Sequence, residues 1–169
     1  NRPFLDKIYN QIGEYYRNTK NIDTAITYYN KSIAAFTRAI ELHPEFAAAH
    51  NNRGIVHHQK GDFQAAITDF QRAIRIEPKR ATYQANLAQV CLDTGDLETA
   101  LRHGNKARQI TPNHIQALQH LALIYKERKE FDTALEHLDR ALKLDPDNAT
   151  IYVIRGNIFR INNNTGASI

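Results

Sequence analysis

The chain has 169 residues, 42% of them hydrophobic, and a net charge of +4, enough apolar material for a sizeable core and too much for a disordered chain. Seven glycines and five prolines leave little for the turns of an all-β fold, and no apolar run approaches the ~20 residues of a membrane span. The lone Cys91 excludes an internal disulfide and fits a reducing, cytoplasmic compartment. The first residue is Asn1 rather than Met and no signal peptide follows, which predicts a piece cut from a longer protein or a processed product.

Four prolines, Pro44, Pro78, Pro112 and Pro146, stand 34 residues apart and close segments that read alike, from Ala39–Pro44 to Ala141–Pro146. A fixed period of this length marks stacked repeats, none of which can bury its own apolar face. Taken in chain order, the first unit covers about residues 6–45. It places Gly13 and Tyr16 on one helix and predicts a second, long helix over Asp23–Leu42, where Tyr29, Ser32 and Ile33 are echoed by Phe36, Ala39 and Ile40. Gly13 to Gly54 spans seven residues more than the period, about two helical turns or ~10 Å, so the apolar face stays in phase. The extra length reads as a benign variant or as a buttress for a partner.

The second unit, 47–80, carries a helix through Gly54 and Ile55, a break at Gly61-Asp62, and a helix through Phe63, Ala66, Ile67, Phe70 and Ala73 at three- and four-residue steps. The third, 81–114, breaks at Gly95-Asp96 and the fourth, 115–148, at Lys129-Glu130. Glycine suits the left-handed turn, Asp can cap the helix beyond it, and each proline turns its predecessor away from helical angles. A partial fifth unit, 149–161, offers one helix, apolar nearly all round. Residues 162–169 are predicted to be a flexible tail, because Asn162–Gly166 reads as a polar breaker. Gly104 stands where a bulky side chain is expected, which predicts an under-filled third unit that Gly104→Leu stabilises.

Small residues recur where helices meet: Gly13, Gly54, Ala88, Ala122 and Gly156 on the first helices, and Ala25, Ala66, Ala100 and Ala134 on the second. Bulky Ile22, Phe63, Leu97 and Phe131 stand opposite, the alternation a close-packed core needs. On these residues the chain resembles the tetratricopeptide repeat family. The resemblance covers nearly the whole chain and implies an all-α, right-handed α-solenoid of helix–turn–helix units, a fold that binds partners and is no enzyme.

The resemblance also implies a concave face lined by the first helices. Its positions here hold Asn10, Glu14, Arg17, Asn51, Asn52, His58, Gln59, Asn86, Gln89, Asp93, Gln116, Gln119, His120 and Lys126. Neutral amides dominate, and each offers a donor and an acceptor to the backbone of an extended peptide. Asn52 and Asn86 share one position in consecutive units, one step of an amide ladder. One subgroup of the family clamps chaperone C-terminal carboxylates with Lys and Asn. Here those positions hold Asn10/Glu14, Asn51/Ile55, Ala85/Gln89 and Gln119/Leu123, so that clamp is absent. On the last helix Val153, Ile154 and Ile161 predict self-association, as a homodimer, or cover by a continuation of the chain.

Other chemistry finds little support. Eight histidines form no H-E-x-x-H and meet no cysteine pair, so no metal or other cofactor is expected. No phosphate loop, nucleophile elbow or nucleophile–base pair appears. Arg38, Arg72, Lys106 and Arg140 share one repeat position, but with Asp69 and Asp139 nearby they read as a solvated face rather than a nucleic-acid site. The leading expectation is an adaptor or scaffold holding a protein or peptide partner in its groove. The alternatives are a regulatory or substrate-recognition domain of a larger enzyme and, third, an RNA-binding helical repeat.

Overall fold

The computed structural model describes residues 5–166, with the side chains of 7–162. These residues form nine α-helices and no strand, in two compact units, Asn1–Lys79 and Arg80–Ile169. The first unit holds α1 (Leu5–Asn18), α2 (Ile22–Leu42), α3 (Ala47–Lys60) and α4 (Phe63–Ile76). The second holds α5 (Ala81–Asp93), α6 (Leu97–Ile110), α7 (Ile115–Glu127), α8 (Phe131–Leu144) and α9 (Ala149–Gly166). Within each unit, helices adjacent in sequence pack as neighbours.

The prolines end helices by the expected mechanism. His43, Glu77, Thr111 and Asp145, each just before a proline, leave helical angles with ψ of 80°, 79°, 95° and 83°. Their N–H groups still donate to the carbonyls of Ala39, Ala73, Ala107 and Ala141, so each last turn closes before the chain departs. Between paired helices, Lys20, Gly61, Gly95 and Lys129 take the left-handed conformation, with φ of 62°, 90°, 81° and 63°. Glycine accepts this freely and lysine does not. The residues that follow act unequally as caps. Asn21 and Asp96 accept from the N–H of Thr24 and Thr99, whereas Asp62 binds Lys60 at 3.0 Å and makes no cap.

In the first unit, α2 is a single helix of 21 residues, against 14 in α4. Ala25, Tyr29, Ser32 and Phe36 form its buried stripe at helical spacing, and Ala49 and Val56 of α3 complete the core. Its far end carries Leu42 which, with Phe46 beyond the proline, leaves an exposed apolar corner. A side chain at Gly13 would meet the Tyr29 ring at 2.6 Å, and one at Gly54 would meet the Phe70 ring at 2.9 Å. At these two glycines the paired helices leave no room for a side chain.

One polar network enters this core. Arg53 forks onto Asp69, Nε to Oδ2 at 2.8 Å and Nη2 to Oδ1 at 2.7 Å, while Nη1 donates to Thr37 Oγ1 at 3.0 Å. Asp69 is only 4% exposed, so it is no part of a solvated face as its sequence context suggested. His50 Nε2–H donates to the Pro44 carbonyl at 3.0 Å and its Nδ1 lies 3.5 Å from Asp69. One Arg thereby ties α3 to both α2 and α4.

In the second unit, Leu118, Ala122, Ala134, Leu138, Ala141, Ile151 and Ile158 make the main core cluster, and Ile154 packs against it. Helix α9 continues to Gly166, through the stretch expected to break it and to begin the tail; 167–169 lie outside the described residues. Asn and Thr are weak helix formers, but neither removes a backbone donor as proline does, so the ladder carries on.

Gly104 also departs from expectation. It is buried on α6, and a Cβ there would meet Leu121 Cδ2 at 2.9 Å and Cγ at 3.2 Å. Leu121, itself fully buried, already fills the space, so the site is not under-packed. We expect Gly104→Leu to destabilise the protein by about 1–3 kcal/mol through overpacking. Gly104→Ala should be nearly neutral, its ~1 kcal/mol gain in helix propensity offset by the displacement of Leu121. Thermal unfolding of the two variants checks both signs.

Candidate functional site

In the first unit a cavity of about 300 Å³ opens between α1 and α3, with α2 behind it. Lys7, Asn10, Gln11 and Glu14 of α1 and Asn52 of α3 supply its polar lining, and Phe36, Ile55 and Val56 its apolar one. Helical spacing explains the set, since Asn10 and Glu14 lie one turn apart on one face of α1. Gln59 Nε2 donates to Glu14 Oε1 across from α3. A carboxylate only accepts, so this bond fixes which way the Gln59 amide points. Gln59 Oε1 and Asn10 Oδ1 are then both buried acceptors with no hydrogen-bond partner among the described residues.

The second unit has a cavity of about 390 Å³ lined by Gln89, Leu92 and Asp93 of α5, Leu97 of α6, and Leu123 and Glu127 of α7. Gln89 Nε2 donates to Asp93 Oδ1 at 2.8 Å, and Lys126 Nζ donates to Glu127 Oε1 at 2.8 Å. The structure thus gathers Asn10, Glu14, Asn52 and Gln59 in one unit and Gln89 and Asp93 in the other.

The remaining candidates stand apart from these cavities. Asn51 is 6% exposed and donates to Asn52 Oδ1 at 3.2 Å, so it faces the protein more than a partner. Arg17 and Gln116 are exposed, and Asn86 and Gln119 are half-buried. The His58 ring lies 5.8 Å from that of Phe63. His120 Nδ1–H donates to the Ala85 carbonyl at 3.0 Å, which holds α7 on α5. On α9, Val153 is 62% exposed while Ile161 is half-buried and Ile154 lies against the core. Tyr152 and Phe159, which the sequence reading did not single out for self-association, share the exposed side of α9 with Val153.

Sequence reasoning missed the Arg53–Asp69 pair. A signal existed: Arg53 occupies the repeat position of the buried Leu87 and Leu121, and Asp69 follows it sixteen residues on. The basic row is partly taken up by local partners, since Arg38 binds Glu41 at 3.0 Å, Arg72 binds Glu45, and Arg140 donates to Asn113 at 3.2 Å. Among the described residues no group of three His, Cys, Asp or Glu could hold a metal, and no helix is long and apolar enough to cross a membrane.

Residues 5–79 and 79–147 match the tetratricopeptide repeat family. The chain is a tetratricopeptide repeat protein. That family consists of protein-interaction scaffolds built from helix pairs. Searched against curated proteins, the sequence finds no match. Solved structures share the fold. The Arabidopsis OM64 tetratricopeptide domain is 21% identical with a TM-score of 0.62, covering 66% of this chain and 93% of its own. A double mutant of MamA from RS-1 is 17% identical with a TM-score of 0.69, covering 97% and 89%. The first tetratricopeptide domain of Spaghetti (RPAP3), solved bound to the HSP90 peptide SRMEEVD, is 16% identical with a TM-score of 0.64, covering 68% and 91%.

In the second unit of this repeat protein, three histidines have their pKa lowered. Burial is the main cause at each, joined by Arg102 at His103 and by Arg108 and Arg140 at His137. At His114 the geometry agrees: Nδ1 accepts from the N–H of Ala117 at 3.2 Å as the cap of α7, which a protonated Nδ1 cannot do. Folding therefore favours the neutral rings. Their contribution is fully present above the unfolded pKa of about 6.5 and is lost as pH falls below it toward the folded values. We expect a lower melting temperature at pH 5.5 than at pH 7.5, with lower amide protection relative to intrinsic exchange in α6–α8. His114→Asn, which caps without titrating, should lessen the difference.

Proposed function

We propose that the protein is an adaptor that holds a segment of a protein partner against its first helices, in a reducing, cytoplasmic setting. One observation carries this: in the first unit the amides Asn10 and Gln11 of one first helix and Asn52 of the next line one cavity. Amides with open hydrogen-bonding capacity suit the main chain of a bound peptide, whose N–H and C=O groups repeat along its length. Family membership supports the reading, as does a structural neighbour solved with a peptide bound. The absence of a clamp of cations disfavours a C-terminal carboxylate as the ligand. Replacing Asn10 and Asn52 with Ala should leave the fold intact and weaken partner binding by on the order of 1 kcal/mol for each lost bond. Calorimetry showing unchanged affinity would remove this groove reading.

A second reading, compatible with the first, is self-association through α9. Tyr152, Val153 and Phe159 are 52%, 62% and 50% exposed, and a side chain at Gly156 would meet nothing within 4 Å. Two copies could approach closely at such a notch, with the apolar side chains flanking it. Light scattering should then find a concentration-dependent dimer that Val153→Glu with Phe159→Glu abolishes; a monomer at all concentrations argues against it.

A further inference from the structure

We infer that a pocket between α5 and α6, away from the first helices' groove, takes the phosphoryl group of a phosphorylated serine or threonine on a protein partner. The pocket, of about 420 Å³, is lined by Gln84 of α5 and by Arg102, His103, Asn105, Lys106 and Gln109 of α6. No carboxylate lines it. Arg102 and Lys106 stand one turn apart on α6, both exposed, and neither makes an ion pair among the described residues. Like charges at this spacing repel, and nothing in the pocket relieves them. The acids of α5 and α6, Asp93 and Glu98, lie at the turn that joins the two helices, and Glu98 is held by Arg128. Asp96, in that turn, acts on Arg102 from beyond ion-pair distance, its Oδ1 accepting from the Thr99 N–H.

The amides give the pocket its polarity. Gln84 is only 5% exposed and still lines it. Its Oε1 accepts from His103 Nδ1–H at 2.7 Å, so its NH2 group turns away from that ring and has no partner among the described residues. Asn105 repeats the pattern. Its Oδ1 faces Arg108 Nη2 at 3.4 Å, and an arginine can only donate, which again leaves the NH2 free. Two cations and two donor-presenting amides therefore converge on one space.

A phosphoryl ester fits this set better than a carboxylate, since it brings a charge of about −2 and three strong acceptor oxygens. A carboxylate has one charge and two oxygens, too few for the donors present. A nucleic-acid strand needs cations in succession along its phosphates. The positions equivalent to Lys106 in neighbouring repeats, Arg72 and Arg140, are instead engaged by Glu45 and Asn113.

The test passes three twelve-residue peptide libraries over the full chain, random except for a central phosphoserine, serine or glutamate. The phosphoserine library should be enriched, and its selected peptides should shift the side-chain NH2 resonances of Gln84 and Asn105 in nuclear magnetic resonance spectra. Affinity should fall at least about tenfold on dephosphorylation and by a similar factor in Arg102→Gln with Lys106→Gln. That variant should keep the wild-type melting temperature, because neither cation holds a partner within the chain. Equal enrichment of the glutamate library, no enrichment, or selected peptides that ignore the double variant would overturn the inference. So would inorganic phosphate binding those NH2 groups as tightly as the selected peptides, which marks an ion site only, or oligouridylate binding there more tightly, which marks a nucleic-acid site.

Discussion

Close approach of helices at residues without a side chain is the constraint on which each unit depends. In the first unit Gly13 and Gly54 each stand sixteen residues before the ring they admit, Tyr29 and Phe70. A single methyl group would sit 2.6 Å or 2.9 Å from those rings, inside van der Waals contact. The rings are only 2% and 1% exposed, so they cannot swing away into solvent. Helices held this close bring their remaining stripes into register, and the core of α2 and α3 then closes with Phe36 and Val56. The second unit uses the same device with the roles exchanged. Its glycine, Gly104, is on a second helix and receives Leu121 from the helix that follows. Size complementarity is kept while the side that supplies the bulk changes.

A core this tight makes polar substitution expensive unless every polar atom is matched. The repeat position held by Leu87 and Leu121 in the second unit is held by Arg53 in the first. Arg53 is tolerable because its fork meets both oxygens of Asp69 and its third nitrogen meets Thr37. Leucine is indifferent to a small rotation of its neighbour, whereas a bidentate pair is not. The network therefore adds less to stability than to fixing which turn of α4 faces α3. At Arg155 the same position reappears in milder form, its Nε on Asp139 at 2.8 Å with the two side chains 40% and 51% exposed.

What the sequence made legible is what depends on neighbours in the chain. A proline acts on the residue before it, so the ends of α2, α4, α6 and α8 could be read directly. The glycine turns at Gly61 and Gly95 are equally local. The heptad of α2 was visible because an insertion of two turns preserves the apolar stripe. What escaped depends on partners from other helices. Gly104 reads as a hole until Leu121 is brought over from α7, and Asp69 reads as surface until Arg53 reaches across from α3. Asn51 and Asn52 look equivalent in sequence, yet a rotation of ~100° between consecutive helical residues buries the first and leaves the second at the cavity. Assigning both to one lining ignored that rotation.

The cavity and the core of the first unit are not separate structures. Phe36 and Val56 line the cavity, and both are also members of the buried cluster that joins α2 to α3. Phe36 lies in the added heptad of α2, where it repeats the position of Tyr29 seven residues earlier. A second helix of 14 residues, like α4, would bring one fewer heptad of that stripe to α3. The insertion thus does more than lengthen a helix: it supplies a rigid aromatic wall behind the hydrogen-bonding groups of α1 and α3. Because these wall residues hold the unit together, they cannot rearrange freely to suit a ligand. In the proposed groove reading such a cavity is preorganised, and a segment bound there would lose less of its gross interaction energy to ordering the protein. Under the same reading occupancy would favour the folded unit, since the unfolded chain has no cavity to fill. Asn10, Glu14 and Asn52 on the rim can change by substitution, while the wall behind them is held by the demands of packing.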